Sequence, residues 1–162
     1  MVPQSQPSGK IKHIWSVLCE RSSIDRESNN ISLINVLEQV TVSPVMLKRE
    51  KIPKETGIAV VPANYEVTSL WVRSDIDKPA LGNARVTLLS SSGPIGEPAE
   101  IQIDLRQHKR FRTRQRFGGL PIREAGQYLF VVEYRDDGQA DWFEVISIPL
   151  EIVIEQSPER QG

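Results

Sequence analysis

The residues whose types and spacing could do chemistry lie together in one run. From Leu105 to Arg123 stand Arg106, Lys109, Arg110, Arg112, Arg114, Arg116 and Arg123, seven bases with no Asp or Glu among them. The rest of the chain then carries 13 bases against 21 acids, so charge is segregated although the net charge is only −1. Four of these bases, Arg110, Arg112, Arg114 and Arg116, alternate along the chain. On an extended strand, alternate residues share a face at ~7 Å steps. Phe111 and Phe117 take the opposite face. Neighbouring guanidinium groups repel unless anions lie across from them. Such a row suits an anionic partner: an acidic protein surface, a nucleic-acid backbone or a phosphorylated ligand. The structural alternative is an adjoining strand that supplies carboxylates, or a sheet edge kept charged against aggregation. Aromatic rings on the same face as the bases would favour nucleic acid. The opposite parity of the two Phe residues favours protein.

Nucleophilic catalysis has few candidates. His13 and His108 are the only histidines and Cys19 the only cysteine. His13 and Cys19 share one parity but are ~20 Å apart along an extended strand, too far for a nucleophile and its base. Free cysteine is among the most buried residue types, so Cys19 reads as structural and buried. The chain holds no Gly-rich loop ending in Lys-Ser or Lys-Thr, no Gly-x-Ser-x-Gly and no His-Glu-x-x-His. Calcium would need several converging oxygens. Asp75 and Asp77 fall in one loop, and Asp136, Asp137 and Asp141 in another. Aspartate favours turns for its own backbone hydrogen bonds, which is the simpler reading. No cofactor and no metal are expected.

Length and composition bound the rest. At 162 residues, 39% hydrophobic and 25% charged, the chain fits one soluble domain with a core large enough to need no disulfide. A single cysteine also excludes a thiolate zinc site. Residues 1–10 lack the charged and apolar regions of a signal peptide, and no run reaches the ~20 apolar residues of a membrane span. The expected compartment is the cytoplasm, with no membrane contact. The expected domain covers residues 10–155, with 1–9 and 156–162 as flexible polar tails.

The elements that must position the arginine row read as strands. Residues 126–134 carry the strongest strand signal, aromatic and β-branched after an opening Gly126. Tyr128, two residues after that glycine, has the placement of a tyrosine corner. Residues 11–20 form a strand with Ile11, His13, Trp15, Val17 and Cys19 on one face. Residues 31–42 read as a second strand. Residues 43–56, with Pro44 and Pro53, read as a crossover with one helical turn. Strands follow at 57–61 and 65–73, separated by Pro62. In the latter, Tyr65, Val67, Ser69 and Trp71 alternate against Glu66, Thr68, Leu70 and Val72, which makes Trp71 a core tryptophan. Residues 75–83 read as a loop and 85–90 as a strand. Ile101, Ile103 and Leu105 face one way in a strand with one wet face. The last strand, 142–154, contains Pro149, where a bulge or a change of sheet is expected. About eight short strands with regular turns, and no interleaved helices, predict an antiparallel β-sandwich. The predicted core includes Trp71, Ile103, Tyr128 and Phe130.

Two segments carry a resemblance. Trp15-Ser-Val-Leu-Cys-Glu-Arg-Ser-Ser-Ile-Asp25, followed by Asn29-Asn-Ile-Ser-Leu-Ile-Asn-Val-Leu-Glu38, resembles the opening of a family of uncharacterised bacterial single-domain β-sandwich proteins. Gly126-Gln-Tyr-Leu-Phe-Val131 is similar to that family's closing region. The resemblance implies an immunoglobulin-like or C2-like sandwich and brings no catalytic residues.

The expected function is non-enzymatic: an interaction module that binds another macromolecule, a protein with an acidic surface, through Arg110, Arg112, Arg114 and Arg116. A nucleic-acid- or anion-binding module using the same row stands second, and an enzyme with an unrecognised site third. Changing Arg112 and Arg114 together to Glu is expected to leave the melting temperature nearly unchanged and to abolish partner capture.

Overall fold

Nine strands and one short helix make up the described part of the computed structural model, residues 9–49 and 56–156. In chain order these are β1 (Ile11–Ile24), β2 (Ile31–Val36), β3 (Gln39–Val42), α1 (Pro44–Arg49), β4 (Ala59–Arg73), β5 (Ala80–Ser90), β6 (Gly93–Leu105), β7 (Arg110–Ile122), β8 (Gly126–Asp136) and β9 (Phe143–Ile154). One sheet has the order β2-β1-β4-β7 and the other β3-β9-β8-β5-β6. All pairings are antiparallel except β3 with β9, which is parallel. The expected sandwich is therefore present, with one strand more than the eight anticipated. Most of the tails and part of the crossover, residues 1–8, 50–55 and 157–162, lie outside the described residues.

The layers follow from period-two burial. Along β5, Ala80, Gly82, Ala84, Val86 and Leu88 are buried and their neighbours are half-buried. Gly82 is needed there: a Cβ would sit 2.8 Å from the Arg135 carbonyl oxygen and 2.9 Å from the Ile11 side chain. Trp71, Ile103, Tyr128 and Phe130 are all buried in the space between the sheets, as predicted. The Tyr128 hydroxyl donates to the Glu124 carbonyl at 2.7 Å and accepts from the Arg123 and Glu124 amides at 3.0 and 3.2 Å. That is the hydrogen bonding of a tyrosine corner, and it pins the β7–β8 turn.

The departures have local causes. The run 31–42 is two strands, because Asn35 takes a positive φ of 54° and the chain then changes sheet at Leu37 and Glu38. The runs on either side of Pro62 are one strand, β4, with its irregularity between Val61 and Asn64. The loop expected over 75–83 is shorter, since β5 already begins at Ala80. Pro149 causes no shift of register; the irregularity in that pairing lies between Val132 and Glu133. β3 starts pairing only at Glu151, so at Pro149 strand β9 has a neighbour on one side and can spare a donor. A bulge between His13 and Trp15 reverses the parity of β1. His13 consequently faces the core, whereas Trp15, Val17 and Cys19 face outward, not all one way as expected.

The inward His13 sits in a small polar chain. Its Nε2 shares a 2.8 Å hydrogen bond with the Ser16 hydroxyl, which shares one of 2.6 Å with Ser69. The ring meets Trp71 edge-on at 5.0 Å. Burial lowers the imidazole pKa to about 4, against a smaller raising effect of the backbone at Trp15. A histidine with a depressed folded pKa contributes stability above its unfolded value, near 6.5, and that contribution is lost as the pH falls toward 4. Between pH 7.5 and 5 the wild type is expected to lose ~2 kcal/mol more than His13→Gln in urea melts. Equal losses would mean that the ring is not held neutral.

Candidate functional site

The four arginines share the outer face of the four-stranded sheet, as parity requires, and their neighbours set what each can do. Cross-strand rows run from β1 through β4 to β7. Lys12, Val72 and Arg110 form one row, and Trp15, Leu70 and Arg112 the next. Val17, Thr68 and Arg114 follow, then Cys19, Glu66 and Arg116, with Val36 of β2 beyond Cys19. The face grades from apolar and basic at the Arg110 end to acid-neutralised at the Arg116 end.

Glu66 organises the second half. Its residue is only 2% exposed although it lies on an outer face. Arg116 Nε lies 3.3 Å from Oε2, and Arg114 Nε 3.8 Å from Oε1. The Ser22 hydroxyl and the Thr68 hydroxyl, the latter at 2.9 Å, both donate to Oε1. Burial by itself would raise the carboxyl pKa. The two hydroxyls, and then Arg114 and Arg116, outweigh it and hold the group below the ordinary range. The carboxylates that sequence reasoning left open thus reduce to one acid on the adjoining strand. Its trace was an isolated Glu among apolar and hydroxyl residues, opposite in parity to Trp71.

Two arginines also hold the β1–β2 hairpin. Arg114 donates to the Ser22 hydroxyl at 2.7 Å and to the Ser22 carbonyl at 2.9 Å. Arg112 donates to the side-chain and backbone oxygens of Asn29 at 3.3 and 2.6 Å. Asn29 presents them from a left-handed φ of 55°. Arg112 Nε is buried without a hydrogen-bond partner, and burial, then neighbouring Arg110, lowers the guanidinium pKa. The expectation that Arg112 and Arg114 can be reversed without loss is therefore corrected: both tie the hairpin across β4 onto β7. Arg110 and Lys12 differ, being exposed and without a carboxylate partner among the described residues. Beside them lie the half-buried Leu70 and Trp15 and the exposed Ile14.

The remaining candidates separate. Cys19 is fully buried against Glu66 and Thr68, and burial, then Glu66, pushes its thiol pKa up. His13 lies on the opposite face of the same sheet, so the two never meet. Asp75 accepts its own turn's Asp77 amide at 3.1 Å and faces Lys78 at 3.5 Å. Asp136 accepts the Lys10 amide at 3.1 Å and the Tyr134 hydroxyl. Asp75 serves its own turn and Asp136 holds the chain leading into β1, and no group of three or more His, Cys, Asp or Glu residues that could hold a metal occurs among the described residues. One further cluster, on the outer face of the five-stranded sheet, left no trace in residue spacing. There the Trp142 ring carries Arg85 at 4.4 Å and Arg135 at 4.3 Å, and Arg85 pairs with Glu133 at 2.6 Å.

No family model matches the chain, and no curated protein matches it. Among solved structures, the N-terminal domain of PorA superposes with a TM-score of 0.30 and 8% identity, over 87% of this chain and 98% of that one. A superposition that loose carries no argument about fold or function.

Proposed function

We propose that this sandwich is a non-enzymatic interaction module that binds an acidic protein partner on the Arg110 end of the outer arginine face. One observation carries the reading. Lys12, Arg110 and Arg112 lack carboxylate partners among the described residues and sit beside Ile14, Trp15, Leu70 and Val72. Exposed ion pairs contribute only ~0.2–1 kcal/mol each, so specificity needs the apolar contacts that this end supplies. The assembled groups that resemble catalytic machinery, His13 with Ser16 and Ser69, are at most 8% exposed, which supports binding over catalysis. The tyrosine corner at Tyr128 and the central Trp71 support the immunoglobulin-like assignment and, with it, the bacterial family likeness. A single buried cysteine suits a reducing compartment, and we place the module in the cytoplasm.

Nucleic acid is the second reading, because the β1 bulge puts Trp15 on the same face as Arg112. The test is Lys12→Glu with Arg110→Glu, two exposed positions in one row. The melting temperature is expected to stay within a few degrees, and affinity for an acidic peptide containing Leu to fall at least tenfold. Unchanged peptide affinity sinks the proposal. Tight, strongly salt-dependent binding of a single-stranded oligonucleotide, with none of the peptide, favours the second reading.

A further inference from the structure

The two sheets end in free edges at β6 and β7. One side chain ties these edges: Gln115 Nε2 donates to the Ala99 carbonyl at 2.6 Å. Beyond that tie both edges kink. Val86 pairs with Ala99 but Leu88 with Ile95, so residues 96–98 buckle out opposite the single Thr87. Across from them, Gly119 takes a φ of 101°, and a Cβ there would lie 2.7 Å from the Val60 side chain. Between the kinks opens a cavity of about 230 Å³, lined chiefly by Tyr65, Leu88, Ile95, Phe117 and Phe130.

We propose that this cavity binds a small neutral aromatic molecule of about one ring. The walls supply the chemistry. Tyr65 stacks on Phe117 at 5.1 Å and meets Phe130 edge-on at 5.6 Å, leaving aromatic and aliphatic surface around the void. The Tyr65 hydroxyl already donates to the Gly119 carbonyl at 3.2 Å, so it offers a ligand no spare proton. Glu97, exposed on the buckle, is the charged lining residue, and it repels an anionic headgroup. Size agrees: an apolar cavity of roughly 150 Å³ suffices for benzene, and drug-sized sites begin near ~300 Å³. The cavity is independent of the arginine face, since Gly119 lies ~30 Å along β7 from Arg110.

The experiment is a methyl NMR titration of the full chain with benzyl alcohol, and with benzoate as its anionic counterpart. Benzyl alcohol should shift the Leu88, Ile95 and Val86 methyls saturably, with nuclear Overhauser contacts from its ring to Leu88 and Ile95. Benzoate should bind at least tenfold more weakly, and Glu97→Gln should narrow that gap. Ile95→Phe, which fills the void, should weaken benzyl alcohol at least tenfold. Absence of saturable shifts, contacts to other methyls, or equal binding by a folded Ile95→Phe overturns the proposal. The wild-type contacts decide the matter even where that variant does not fold.

Discussion

Trp71→Ala is expected to lower the unfolding free energy by ~3–5 kcal/mol in urea melts. Trp71 is fully buried near the C-terminal end of β4, an interior strand with β1 on one side and β7 on the other. Its ring touches His13 at 5.0 Å and Tyr134 at 6.0 Å, so it joins the four-stranded sheet to the five-stranded one. Truncation removes the largest fully buried side chain and leaves a cavity that a close-packed sandwich cannot collapse. It also strands a polar group. The indole Nε1 donates to the Thr113 hydroxyl at 2.9 Å, and Thr113 is itself 1% exposed. Trp71→Phe separates the two effects, because it keeps much of the ring volume and loses the donor. The hydrogen bond alone is worth ~0.5–1.5 kcal/mol, so Trp71→Phe should cost clearly less than Trp71→Ala. A loss below ~1 kcal/mol for the alanine variant would show that the indole does not bridge the sheets.

The same residue shows what the sequence could reveal. Alternation along 65–73 put Trp71 on the buried side, and cross-strand geometry did the rest. Tyr128 was legible because a tyrosine corner is a local device, closed by backbone only four and five residues away. The bulge between His13 and Trp15 was not legible. Ile14 is apolar like Ile11 and Trp15 on either side of it, so nothing in the residue types marks the extra residue. That one slip moved Trp15 onto the arginine face and His13 into the core. The change of sheet at Leu37 was hidden for a similar reason: residues 31–42 are apolar on both sides of the break. Parity placed the four arginines on one face, but not their partners. Glu66 is 50 residues from Arg116, Ser22 is 92 from Arg114 and Asn29 is 83 from Arg112. Pairings across such separations depend on strand order, which period and propensity do not encode.

Glu66→Ala should cost ~2–4 kcal/mol, with the damage confined to the β1–β2 hairpin. Breaking a buried ion pair by removing one partner costs ~3–5 kcal/mol, because the other charge is left uncompensated. Here the figure is reduced, since the Arg116 side chain is 67% exposed and that of Arg114 25%, so water recovers part of the loss. Ser22 and Thr68 lose their acceptor as well. A double-mutant cycle with Arg114→Ala should therefore show coupling, and amide exchange should quicken at Ser22 and Asn29 before it does in β8. Acid should mimic the variant. Glu66 has a folded pKa below its ordinary 4.5, so its contribution is complete above that value and disappears as the pH falls through the folded pKa. A Glu66→Gln variant should lose less stability than the wild type in that range. Binding supplies the opposite sign. With the carboxylate gone, Arg114 and Arg116 are released to the outer face and join Arg110, so affinity for an acidic peptide should rise while stability falls. A fall in both would mean that the ordered hairpin is part of the binding surface. A rise in affinity would mean that Glu66 limits how much of the arginine row a partner can reach.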